Sequence, residues 1–117
     1  MEIIQVVPHK NYTEIKVPEI LHTNCSVNLK AHIVKLGTEG VKKILFDLEK
    51  TRRIDHAGLS ALLVANRLCK NAEGKIVLCN ANVAVKKLLE IAQLHSILHT
   101  CDSLSEGIKY LEKVVVD

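Results

Sequence analysis

The chain has 117 residues, of which 48% are hydrophobic and 25% charged, and its formal net charge is +3. That length and balance fit one folded domain and argue against a second domain or a disordered chain, and no run approaches the roughly 20 apolar residues that span a bilayer, so no membrane insertion is expected. Thinly spread basic residues, with one Phe, two Tyr and no Trp, argue against a nucleic-acid partner and leave the core to aliphatic side chains.

In chain order, Ile3-Ile4-Gln5-Val6-Val7 is an apolar run closed by Pro8 and the polar stretch His9-Lys10-Asn11. Tyr12-Thr13-Glu14-Ile15-Lys16-Val17 then alternates polar and apolar until Pro18. This pattern predicts two strands paired antiparallel through a turn at 8–11. Thr23-Asn24 predicts the N-cap of a helix carrying Val27, Leu29, Ala31, Ile33, Val34 and Leu36, with Gly37 and Gly40 at its exit. Ile44-Leu45-Phe46-Asp47-Leu48 reads as a buried strand. A helix is expected from about residue 57 to 72, then a second buried strand at Lys75-Ile76-Val77-Leu78-Cys79. Asn80 or Asn82 caps a third helix, whose Val85, Leu88, Leu89 and Ala92 form one apolar stripe. Ser96-Ile97-Leu98-His99 predicts a short strand, and Ser103-Leu104-Ser105-Glu106 a capping box opening a last helix with Ile108, Leu111 and Val115 on one face.

The order β-β-α-β-α-β-α-β-α implies an α/β fold. It is expected to be a single layer of mixed, mostly parallel five-stranded sheet with about four helices, forming one domain over 1–117. The N-terminus lacks a basic stretch followed by a long apolar run, so no export signal and a cytoplasmic location are expected. The cysteines Cys25, Cys69, Cys79 and Cys101 form no C-x-x-C pair and read as reduced, mostly buried thiols.

Few residues suggest chemistry. His95, His99 and Cys101 have a ligand-like spacing, but on a strand positions 95 and 99 would lie ~13 Å apart. His9, His22 and His32 read as isolated surface residues. Asp47 and Asp55 could form an acid–base pair, yet a strand end and a helix cap explain them better. No phosphate-binding loop, dinucleotide fingerprint or nucleophile elbow occurs. No catalytic residue, metal or cofactor is therefore expected.

The informative segment is the turn Ile54-Asp55-His56-Ala57-Gly58-Leu59, which feeds a helix N-terminus from the carboxyl end of a strand. Ile54 can anchor in the core and Asp55 can cap the helix. The small Ala57 and Gly58 let backbone or a partner approach. Leu59, Leu62 and Leu63 fall on one side of the helix and Ala61, Val64 and Leu68 on the other, more apolar surface than a single buried stripe needs.

These segments, in this order, resemble a STAS domain, the fold of bacterial anti-sigma-factor antagonists. The resemblance covers almost the whole chain. Its centre is Ile44-Leu45-Phe46-Asp47-Leu48, Ile54-Asp55 with Gly58-Leu59, and the Leu62-Leu63 helix. Lys75 to Asn80, Val83 to Leu89, and Ala92-Gln93-Leu94 support it, the last being usually a small residue or Thr, Gly and Leu in the family. The resemblance implies a binding module, not an enzyme, that docks on an ATP-binding anti-sigma factor acting as its serine kinase. A phosphate adds about −1.5 to −2 charges and its own bulk to such an interface, which is how the family's switch works. Here His56 replaces the usual phosphorylatable serine and Ala57 follows it, so the usual position carries no hydroxyl. Thr51 and Ser60 are the hydroxyls nearest that position. The expected partner-binding residues are Asp55, His56, Ala57, Gly58, Leu59, Ser60, Leu62 and Leu63. The resemblance also allows a subunit of another assembly, such as a lipid-transport ABC system, or a small-ligand or nucleotide-binding module.

Overall fold

The computed structural model describes residues 4–21 and 23–113. Strands β1 (Gln5–Pro8) and β2 (Thr13–Lys16) form the antiparallel hairpin. They are followed by β3 (Ile20–Leu21), α1 (Thr23–Thr38), β4 (Lys43–Asp47), β5 (Arg53–Ile54) and α2 (His56–Asn71). The chain continues with β6 (Lys75–Cys79), α3 (Val83–Ile91), β7 (Thr100–Cys101) and α4 (Leu104–Glu112). The main sheet has the order β1-β2-β4-β6-β7 and is parallel except at the hairpin.

Alternation along the central strands assigns each residue to a face. Ile15, Phe46 and Leu78 stand side by side across β2, β4 and β6 and join the large core shared with α1, α2 and α3. Leu45 and Val77 point the other way, into a smaller core with Cys79 and Leu111 of α4. Gly107 lets α4 lie flat there, because a Cβ at that position would overlap the Cys79 sulfur.

The structure departs from the sequence expectations, or decides between their alternatives, in four places. First, β3 and β5 form an additional two-stranded parallel sheet, pairing Leu21 with Ile54. Two-residue strands carry no alternation from which to read them. Second, the strand expected at Ser96-Ile97-Leu98-His99 is a turn, and pairing starts later, at Thr100–Cys101. Gln93 ends α3 in the left-handed region at φ 60°. The amides of Ile97 and Leu98 then close on the Leu94 carbonyl, so the His99 carbonyl is the first to reach β6, at Leu78 N–H. Leu98 still fills the core, from a turn. Third, Asn82, not Asn80, caps α3. Fourth, only half of the capping box forms as expected: Ser103 Oγ accepts from Glu106 N–H, while the Glu106 carboxylate reaches the amide of Asp102.

His9 is exposed but not isolated, since it bonds Glu14 and stacks on Tyr12. Cys25, Cys69 and Cys79 are buried and Cys101 is half-buried, and none of the four is in a disulfide. Ile3, His22 and Val115 lie outside the described residues, as do the side chains of Thr23 and Asn24 on which the expected cap of α1 rests. Among the described residues, no helix is long and apolar enough to cross a membrane.

Candidate functional site

The loop leaving β4 is tied down at each step. Asp47 is buried at the strand end, where Oδ1 accepts from the Glu49 amide at 3.0 Å and from Asn80 Nδ2 at 3.3 Å. Thr51 is fully buried, its hydroxyl 3.0 Å from the Pro18 carbonyl and 3.2 Å from that of Val17. The Thr51 carbonyl accepts from Asn82 Nδ2 at 3.1 Å, while Asn82 Oδ1 caps α3 by accepting from Val85 N–H at 2.8 Å. One asparagine thus joins this loop to the start of α3. Of the two hydroxyls nearest the usual switch position in sequence, Thr51 is sealed in the core and Ser60 is exposed.

Asp55 links the small sheet to α2. Its backbone N–H donates to the Leu21 carbonyl at 3.1 Å, and its Oδ1 accepts from Gly58 N–H at 2.8 Å as the helix N-cap. Extended φ and ψ of −91° and −176° set the cap geometry. His56 and Ser60 are then presented on the exposed side of the helix, and Ala57 is half-buried. Of the two approaches that its size allowed, Gly58 serves the backbone one. A Cβ there would meet Ile54 Cγ2 at 2.7 Å and the Leu21 carbonyl at 2.8 Å, so the close approach is by the chain's own β3, not by a partner. Leu59 and Leu62 are also core residues, and Leu63 is half-buried against that core. The expected set therefore divides. Asp55, His56, Ala57 and Ser60 form a surface, with Leu63 at its margin, while Gly58, Leu59 and Leu62 support it from below.

Asp55 and Asp47 have separate structural partners, as their positions suggested. Burial pushes the thiol of Cys69 up to about 11 and that of Cys79 up to about 12, so neither offers a thiolate near neutral pH. His95 is exposed in a turn, and His99 stacks on Tyr110 with its ring centroid 3.8 Å away. Desolvation, then Lys113 and Lys75, hold His99 below the usual histidine value. Among the described residues, no group of three His, Cys, Asp or Glu is placed to hold a metal.

One surface residue escaped the sequence reading. Val83, first in α3, is 82% exposed beside the cap that binds the Thr51 carbonyl. Its position off the Val85-Leu88-Leu89 stripe, immediately after a capping asparagine, was the available clue.

The family model described as the STAS domain matches residues 7–107. The solved structure of the anti-sigma factor antagonist SpoIIAA in its unphosphorylated form has a TM-score of 0.78 at 17% identity, covering 96% of this chain and 100% of that one. SpoIIAA, the Bacillus cell fate determinant, has also been solved phosphorylated, with a TM-score of 0.75 at 18% identity over 94% and 100% of the two chains. An anti-sigma-factor antagonist (STAS) domain protein from Planctomyces limnophilus gives 0.81 at 16% identity over 95% and 98%. A sulfate transporter family protein from Wolinella succinogenes gives 0.79 at 16% identity over 92% and 89%.

Proposed function

We propose that this chain, which belongs to the STAS domain family, is a non-catalytic regulatory module that docks on a protein partner through the start of α2. The partner class that best fits is an ATP-binding anti-sigma factor, as expected for a relative of anti-sigma factor antagonists. The observation that carries this reading is the anchored start of α2. Asp55 is held by β3 and caps the helix, while His56, Ala57 and Ser60 face outward at its first turns. A surface fixed in advance loses little conformational freedom on binding.

His56 and Ala57 leave no hydroxyl where the family's serine switch acts, so binding is constitutive at this position. Ser60, on the same helix face as His56, is an exposed hydroxyl nearby. Location in the cytoplasm, the absence of a cofactor and the absence of a metal belong to the same reading. The Wolinella neighbour gives a specific reason to keep a second one, in which the same surface docks within a transport assembly.

The test is calorimetric titration of the purified chain with the ATP-binding anti-sigma factor from its own organism. Ala57→Glu places a charge and extra bulk in the interface at a half-buried position, and it abolishes binding while the melting temperature stays put. Undiminished binding by Ala57→Glu moves the interface elsewhere. Failure of the wild-type chain to bind favours the transport reading.

A further inference from the structure

The sheet carries a polar hollow on the face opposite the α1–α2 layer. Strand register sets Gln5 of β1, Lys16 of β2 and Asp47 of β4 side by side in one row across that face. It is the face of Leu45, two residues before Asp47, against which α4 packs through Leu111. The row lies at the carboxyl ends of β2 and β4 and lines a hollow of about 180 Å³. Glu49 and Lys50, from the loop after β4, and the buried Pro18 complete the lining.

The charges in this hollow are not neutralised by one another. Asp47 is only 8% exposed. Its Oδ1 accepts from two neutral donors, the Glu49 amide and Asn80 Nδ2, while Oδ2 has no hydrogen-bond partner among the described residues. No described cation forms an ion pair with it. A buried carboxylate is ordinarily paired, because loss of water disfavours a lone charge. Lys16, its neighbour in register, and Lys50 are exposed and form no ion pair among the described residues. Two ammonium groups and two carboxylates thus line one small space.

We propose that this hollow binds a small free amino acid as its zwitterion. The ligand's ammonium group donates to Asp47 Oδ2, and its carboxylate accepts from Lys16 and Lys50. A simple anion would leave Asp47 without a counter-charge, and a simple cation would lie beside two lysines. A zwitterion meets both needs, and its opposite charges are a few ångströms apart, as are register neighbours on strands about 4.8 Å apart. The hollow is smaller than the roughly 300–1,000 Å³ of sites for drug-sized ligands, which selects a compact molecule. The carboxyl ends of parallel strands are also where α/β sheets commonly receive ligands. The site is separate from the start of α2, which packs on the other face of the sheet, so it stands or falls independently of the docking surface.

The experiment follows amide NMR shifts of the full chain during titration with glycine, L-alanine and L-serine. N-acetylglycine, which lacks the ammonium group, glycinamide, which lacks the carboxylate, and inorganic phosphate are the comparison ligands. Saturable shifts centred on Lys16, Val17, Asp47, Glu49 and Lys50 are expected with at least one of the amino acids. Asp47→Asn should weaken that binding about tenfold or more, as loss of a charged hydrogen-bond partner does. Lys16→Met with Lys50→Met, at exposed positions that leave the melting temperature unchanged, should weaken it to a similar extent and keep the test valid if Asp47→Asn unfolds. No saturable shift with any of the three amino acids, shifts centred elsewhere, binding of N-acetylglycine, glycinamide or phosphate as tight as that of the amino acid, or full affinity in the double lysine variant overturns the proposal.

Discussion

Helix α2 begins and ends in opposite ways. At its start the backbone is engaged: Asp55 caps Gly58 N–H, its own N–H bonds the Leu21 carbonyl, and Gly58 packs against that same carbonyl. Near its end Leu68 stands over an open groove, and Gly37 of the facing helix has nothing within 4 Å of its missing side chain. Both ends belong to one helix on one core, so the contrast does not come from local propensity. It comes from what each end packs on. The start rests on a small parallel sheet that holds backbone against backbone. The end rests on side chains alone, beside a groove of about 320 Å³ between α1 and α2 that Val34, Gly37, Leu68 and Ala72 help line. Substitutions should therefore be costly at the start and cheap at the end.

The largest expected effect is at Gly58. In a helix interior Ala is ordinarily favoured over Gly by up to about 1 kcal/mol. Here an added Cβ meets Ile54 Cγ2, the Leu21 carbonyl and Leu21 Cγ, all within 2.9 Å. Overpacking of that kind costs about 1–3 kcal/mol, so Gly58→Ala lowers stability despite the gain in helix propensity. Urea unfolding measures it, and a midpoint at or above the wild-type value would show that β3 yields and that the start of α2 is not rigid.

Next is Asp55→Ala. It removes the acceptor for Gly58 N–H and should cost about 1 kcal/mol, as helix caps do. Asp55 N–H keeps its bond to the Leu21 carbonyl, so the loop stays attached while the first turn frays. Faster hydrogen exchange confined to the first turn of α2 is the expected result. Loss of protection across β3 and β5 as well would mean that cap and sheet form one cooperative unit.

These two residues also mark what the sequence could and could not disclose. The five-stranded sheet, its antiparallel hairpin and four helices were legible because Ile44 to Leu48 and Lys75 to Cys79 are near-continuous apolar runs, Tyr12 to Val17 alternates, and the Val85-Leu88-Leu89 stripe has helical spacing. Asp55 was legible as a cap from its type and place. Gly58 was legible as a close-approach position, but not as to what approaches. That depended on β3, a two-residue strand whose partner lies more than 30 positions away. The same limit applied to Leu59 and Leu62, since a helix with apolar residues on two sides does not reveal which side faces the core. The groove was hidden for a further reason. It is a property of how two helices pack together, not of either sequence.

The smallest expected effect is at that open end. Leu68 is a large aliphatic residue in a helix, and by type alone its truncation would be expected to cost the 2–5 kcal/mol of a core leucine. Its exposure and the groove beneath it argue otherwise, because the atoms removed by Leu68→Ala are already partly in water and leave no closed cavity. Ala is also the stronger helix former. The helix term is worth only a few tenths of a kcal/mol against the part of Leu68 that is buried, so the variant should lose roughly 0.5–1 kcal/mol, well short of a core leucine. Thermal unfolding checks this in the free chain. A loss of 2 kcal/mol or more, on the scale of a buried leucine, would mean that the groove closes over Leu68 in solution, and the contrast between the two ends of α2 would then fail at its C-terminal side.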